Sequence, residues 1–171
     1  SQNISFSNAN DLNLIAEKVE ILLSDLRAKF ADYSIQNEPY VFIKADNGTY
    51  GMGIMSVQSG DDIININKKS RNKMNKIKHG VTVDSVIIQE GLPTIDFYKG
   101  SSAEPLIYSI ASEPVSYLYR YNSNRDQYSN LNSMGCDFYD ATFEKSSVHL
   151  MWRLISKLAV LAASGEIFNA S

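Results

Sequence analysis

The stretch FIKADNGTYGMGIMSV, residues 42–57, constrains this chain more than any other. An apolar run ends at Lys44, a loop carrying Gly48, Gly51 and Gly53 follows, and a second apolar run begins. Two short apolar runs around a glycine-rich turn read as paired strands. Glycines let backbone N–H groups approach an anion closely and tolerate positive φ. A lysine at the strand end supplies compensating charge. The G-x-x-G-x-G spacing is not a Walker A loop, because no Gly-Lys-Ser/Thr follows, and it is not the G-x-G-x-x-G of a dinucleotide fold. A hairpin loop closing over nucleotide phosphates fits it. On spacing alone, so does a tight turn in which glycine serves only the backbone.

Periodicity places the other elements. Ile15, Val19, Leu22, Leu23, Leu26 and Phe30 recur at three- and four-residue steps, which predicts an amphipathic helix over 11–31 capped by Asn10 or Asp11. Pro39 disfavours helix at Glu38. YVFIK (40–44) and GIMSV (53–57) read as strands flanking the loop, and the β-branched VDSVIIQEG (83–91) as a third. KKSRNKMNKIKHG (68–80) carries six Lys/Arg and no acid, and stops at a candidate C-cap, Gly80. GLP (91–93) marks a hinge, and TIDFYK, EPLIYSI and VSYLYRY give three more strands. Residues 122–142 read as a loop, and 146–168 as a long helix starting near Ser146 or Ser147, with His149 and Trp152 as packing residues. Strands cluster rather than alternate with helices. The expected class is therefore α+β, with mainly antiparallel sheets and packed helices. The expected division is an N-terminal helix (1–36), a small lobe with the glycine loop (37–91) and a second lobe (92–171).

Composition removes several function classes. A net charge of −3 over 171 residues argues against a general polyanion binder. One cysteine, Cys136, excludes an intramolecular disulfide framework and a cysteine-built zinc site, and fits a reducing, cytoplasmic setting. LISKLAVLAAS is interrupted by Lys157 and too short to cross a bilayer, so no membrane partner is expected. The polar start, SQNISFSNANDL, has no apolar signal region.

FIKADNGTYGMGIMSV, VIIQEGLPT, AEPLIYSI, YRYN and NLNSMG occur in this order. Together they resemble the bacterial glutamate–cysteine ligase family built on the ATP-grasp fold, over roughly residues 38–166. The resemblance implies a two-lobed ATP-grasp-like fold that joins glutamate to cysteine through an acyl phosphate, with ATP and Mg2+ as cofactors and small-molecule substrates as partners. It implies that Lys44 contacts ATP phosphates. Asp46, Gly48, Thr49, Tyr50, Gly51 and Gly53 form the loop over them. Gln89 and Glu90 lie on the hinge strand that meets adenine, with Glu90 reaching its amino group or the ribose. Arg120 steadies the acyl phosphate. Asn130 and Asn132 stand where Mg2+ ligands are expected. The family pattern there holds acids, so this chain departs from it, and Glu104 or Asp137 would have to supply the missing carboxylate. A full ligase of this kind carries a large N-terminal region not seen here, so the expectation is its ATP-binding part.

Other readings stay open at this point. Another carboxylate–amine ligase would share the ATP site and differ in acceptor. A non-catalytic nucleotide- or partner-binding module would account for the missing acids. Nucleic-acid binding through residues 68–78 predicts steep salt dependence, against the simpler reading of a solvated helix face.

Overall fold

Helix α1 (Ala9–Asp32) is built by its apolar stripe: Leu12, Ile15, Ala16, Val19, Leu23 and Leu26 are buried along one side. The cap lies two or three residues earlier than the sequence suggests, at Asn8. The Asn8 side chain accepts the Asn10 N–H at 2.9 Å, while Asp11 is engaged by the Ser5 N–H at 3.0 Å. The computed structural model describes residues 4–46, 52–75, 83–142 and 147–170. Among them, α1 is followed by β1 (Val41–Ala45), β2 (Ile54–Val57), α2 (Asp61–Ile64), α3 (Lys68–Asn75), β3 (Val86–Glu90), β4 (Asp96–Tyr98), β5 (Ser101–Ile110), β6 (Glu113–Tyr121), β7 (Asp137–Asp140) and α4 (Ser147–Ala170). The class is mixed helix and sheet, with both sheets antiparallel.

The chain divides into two units, Ser1–Pro93 with Gln127–Ser133, and Thr94–Asp126 with Met134–Ser171. In the first, β1 is the central strand of the sheet β2-β1-β3. The strand alternates: Val41, Ile43 and Ala45 are buried, while Phe42 and Lys44 between them are only partly covered. Val41, Ile43 and Val57 join the α1 stripe in one apolar core with Phe6, Ile63, Ile66 and Met74. Burying each large side chain there contributes about 1.5–3 kcal/mol.

The short helix α2, which the sequence did not announce, sits hard against α1. The Gly60 N–H donates to Glu20 Oε1 at 2.6 Å, and a Cβ on Gly60 would lie 3.0 Å from the Ala16 carbonyl. In α3, Met74 turns inward while Lys68, Lys69 and Lys73 stay exposed. The remainder of the basic run and Gly80 lie outside the described residues.

The second unit is a meander, β4-β5-β6-β7. Its first two hairpins turn through Lys99–Gly100 and Ala111–Ser112, all four at positive φ, as two-residue loops between right-twisted strands require. Strand β7 falls inside the 122–142 region expected to be loop. Its four residues pair with β6 from Leu118↔Asp140 to Tyr121↔Asp137. Helix α4 lies on β6 through His149 stacked on Tyr117 (5.4 Å) and Trp152 edge-on to Tyr119 (5.3 Å). Glu113 ties it down, accepting from Lys157 at 2.6 Å and Arg153 at 3.1 Å, and these bonds hold the Glu113 carboxyl below its ordinary pKa.

Candidate functional site

The strand that ends at Lys44 fixes which way the ammonium faces. Ile43 is buried against α1, so Phe42 and Lys44 project from the opposite face of the sheet. Register then decides what shares that face. Lys44 stands opposite Ile54 on β2 and Ile87 on β3, and Phe42 opposite Ser56 and Gln89. The result, among the described residues, is an open surface around the Lys44 cation: Ile87 is 47% exposed, Gln89 is exposed, and the Lys44 ammonium sits 5.7 Å over the Phe42 ring. The ammonium donates to Gln89 Oε1 at 2.9 Å. Lys44 and Gln89, named separately from the sequence, are thus brought together.

The chain leaves Lys44 directly into the glycine loop. Ala45 N–H still bonds Gly53 O at 2.8 Å, and Gly53 has φ +66, a conformation that favours glycine. Asp46 accepts from the Ser85 hydroxyl at 3.1 Å, and its N–H bonds Ser85 O. Gly48, Thr49, Tyr50 and Gly51 lie outside the described residues.

Glu90 goes elsewhere. It shares the parity of Val86 and Ile88, which pack toward α1, and its carboxylate meets Lys29 Nζ of α1 at 2.9 Å. The side chain of Glu90 therefore stands across the sheet from Lys44.

Arg120 and Glu104, expected in different roles, face each other across β5 and β6. Arg120 Nε and Nη2 both reach Glu104 Oε1 at 2.6 Å, with side chains 18% and 35% exposed. Asn130 and Asn132 form one turn in the first unit: Asn130 Oδ1 accepts the Asn132 N–H at 3.1 Å, and Asn130 Nδ2 donates to Asn132 O at 3.3 Å. The same segment packs Tyr128 edge-on to Tyr40 at 5.4 Å. Asn122 is fully buried and organises its own loop by accepting the Asn124 N–H at 3.0 Å. Among the described residues, no three His, Cys, Asp or Glu come together to hold a metal ion. Glu104 is charge-paired, and the Asn130 amide oxygen already serves a turn. These residues do not fit a protein-built Mg2+ cage, which needs charged oxygens.

Two features of this face were open to sequence reasoning. Alternation within VFIKA puts Phe42 beside Lys44. Opposite parity of Gln89 and Glu90 follows from the strand period, although which parity faces Lys44 depends on the register with β1. No helix among the described residues is long and apolar enough to cross a membrane.

Residues 1–167 match the sequence profile of the family described as glutamate-cysteine ligase (GshA). A crystal structure of a protein proposed to be a gamma-glutamylcysteine synthetase, from Methylobacillus flagellatus KT, superimposes with a TM-score of 0.81 at 36% identity. The alignment covers 100% of this chain and 44% of that one, so the chain spans less than half the length of this relative. The search of curated proteins returned no match.

Proposed function

Because the chain belongs to the glutamate–cysteine ligase family, we propose that it supplies the ATP-binding part of an ATP-dependent carboxylate–amine ligase on an ATP-grasp-like fold. In the proposed reaction a glutamate carboxylate attacks the terminal phosphorus of ATP, giving an acyl phosphate and ADP. The cysteine amine then attacks the acyl carbon, the amide forms, and phosphate leaves. A carboxylate is a poor electrophile, so what the protein must contribute is positioning and positive charge around the transferring group. No serine or cysteine nucleophile is needed.

One observation carries this reading: Lys44 presents its ammonium on the open sheet face, held by Gln89 and continuous with the glycine loop. An unburied cation at a strand end beside apolar Ile87 and Phe42 suits a ligand with a flat apolar part and an anionic tail. Mg2+ would enter with the nucleotide, since it keeps several waters and binds largely through substrate phosphates. A cytoplasmic setting belongs to the same reading.

Calorimetric titration of MgATP into the wild-type chain and Lys44→Ala tests it. The substitution is expected to weaken binding at least tenfold, about 1.4 kcal/mol. Equal affinity in the two proteins, or none in the wild type, would remove the nucleotide reading. That no carboxylates cluster among the described residues favours one rival, a nucleotide-binding module without catalysis. Formation of ADP and phosphate in the presence of both glutamate and cysteine separates the two.

A further inference from the structure

Strand β3 carries two adjacent polar side chains that each meet a lysine, and they differ in charge. Glu90 faces α1 and makes an ion pair with Lys29 at 2.9 Å. Gln89 faces the other side and accepts from Lys44 at 2.9 Å. Both contacts are equally short. One couples a cation to a carboxylate, and the other couples a cation to a neutral amide. Among the described residues Lys44 has no carboxylate within ion-pair distance, and Asp46, just past the end of the strand, is engaged by Ser85.

The chemistry of the two partners is not interchangeable. A carboxylate fixes an ammonium and also cancels its field. An amide carbonyl accepts one N–H and restricts the side chain, but leaves a full unit charge to act on whatever else approaches. A lysine stem has four rotatable bonds, and its ammonium is a point charge with no fixed direction of its own. An anchor at 2.9 Å removes much of that freedom before a ligand arrives, which lowers the ordering cost of binding. The Lys29 pair shows what the same strand does where only attachment to the helix is required.

We infer that Gln89 is a positioning residue: its side-chain amide aims the Lys44 ammonium across the open sheet face while leaving its charge uncompensated for the phosphates of a nucleotide. The inference rests on the nucleotide reading of Lys44. It gives Gln89 a role toward the lysine, in addition to the backbone role expected of a hinge strand.

The test is a set of calorimetric titrations with MgATP and with AMP. The proteins are wild type, Gln89→Leu, Gln89→Glu, Lys44→Ala and the double variant Gln89→Leu/Lys44→Ala. Gln89 is exposed, so these changes leave the fold intact, and unchanged far-ultraviolet circular dichroism confirms it. Gln89→Leu is expected to weaken MgATP three- to fivefold and AMP less. Gln89→Glu is expected to weaken MgATP tenfold or more, because it pairs the charge that the phosphates would use. In the Lys44→Ala background, Gln89→Leu is expected to change nothing further. Equal losses from Gln89→Leu in both backgrounds would show that Gln89 acts on the ligand directly, and would overturn the inference. So would Gln89→Glu binding as tightly as wild type while Lys44→Ala binds weakly. If Lys44→Ala itself leaves MgATP affinity unchanged, the nucleotide reading fails, and the positioning role falls with it.

Discussion

Gly91→Ala is expected to destabilise the first unit by about 3 kcal/mol, at the upper end of what overpacking costs. A Cβ there would stand 2.5 Å from Cδ2 and Cζ of the Tyr40 ring, and nearer still to Cε2. The ring cannot yield. Tyr40 is 2% exposed, with Phe42 edge-on at 5.5 Å and Tyr128 at 5.4 Å. The backbone cannot yield either, because Gly91 N–H bonds Tyr40 O at 2.8 Å. Glycine is required at this position by a close approach rather than by φ. Urea unfolding followed by far-ultraviolet circular dichroism measures the loss. In a Tyr40→Ala background the same glycine substitution should cost under about 1 kcal/mol. A full-sized cost in both backgrounds would place its origin elsewhere than the ring.

The second large effect separates the two faces of the sheet. Ile43→Ala should cost about 3–4 kcal/mol, because Ile43 is fully buried in the core with α1 and nothing can fill the space it leaves. Ile87→Ala should cost less than about 1 kcal/mol, because Ile87 stands 47% exposed on the Lys44 face. The same chemical change on neighbouring strands thus differs several-fold. If MgATP spreads its flat part over that face, the ranking inverts for affinity: Ile87→Ala weakens binding and Ile43→Ala, where it folds, does not. Equal stability losses at the two positions would contradict the face assignment.

Much of this was readable before any coordinates. The α1 stripe follows from the 3.6-residue period over six apolar positions, a signal long enough to resist local noise. The two strands that flank the glycine loop follow from FIKADNGTYGMGIMSV, where the two apolar runs are separated by turn chemistry. What the sequence hid is mostly register and partner choice. Glu90 is adjacent to Gln89 and looks equally suited to a ligand, yet a single step along a strand reverses the face, and Lys29 lies 61 residues away. Strand β7 is only four residues long in a region rich in turn formers, so its pairing with β6 rests on tertiary contact. The Asn8 cap was missed because asparagine and aspartate recur at 8, 10 and 11, and local chemistry does not choose among them.

The two units are filled very differently. Among the described residues, both clusters of buried apolar side chains lie in the first unit. Among its described residues the second buries the apolar Trp152, Ala103 and Ala141 and the polar Ser102, Asn122 and His149, beside half-covered tyrosines such as the Tyr98–Tyr139 stack at 4.4 Å. Sparse burial means a small free energy of local opening. Backbone amides of β4–β7 should therefore exchange with deuterium sooner than those of β1–β3. The chain's single tryptophan sits in the second unit, so its fluorescence would report an early event, whereas circular dichroism, to which the equally long α1 and α4 both contribute, would spread over two steps. A single unfolding midpoint would then describe neither unit.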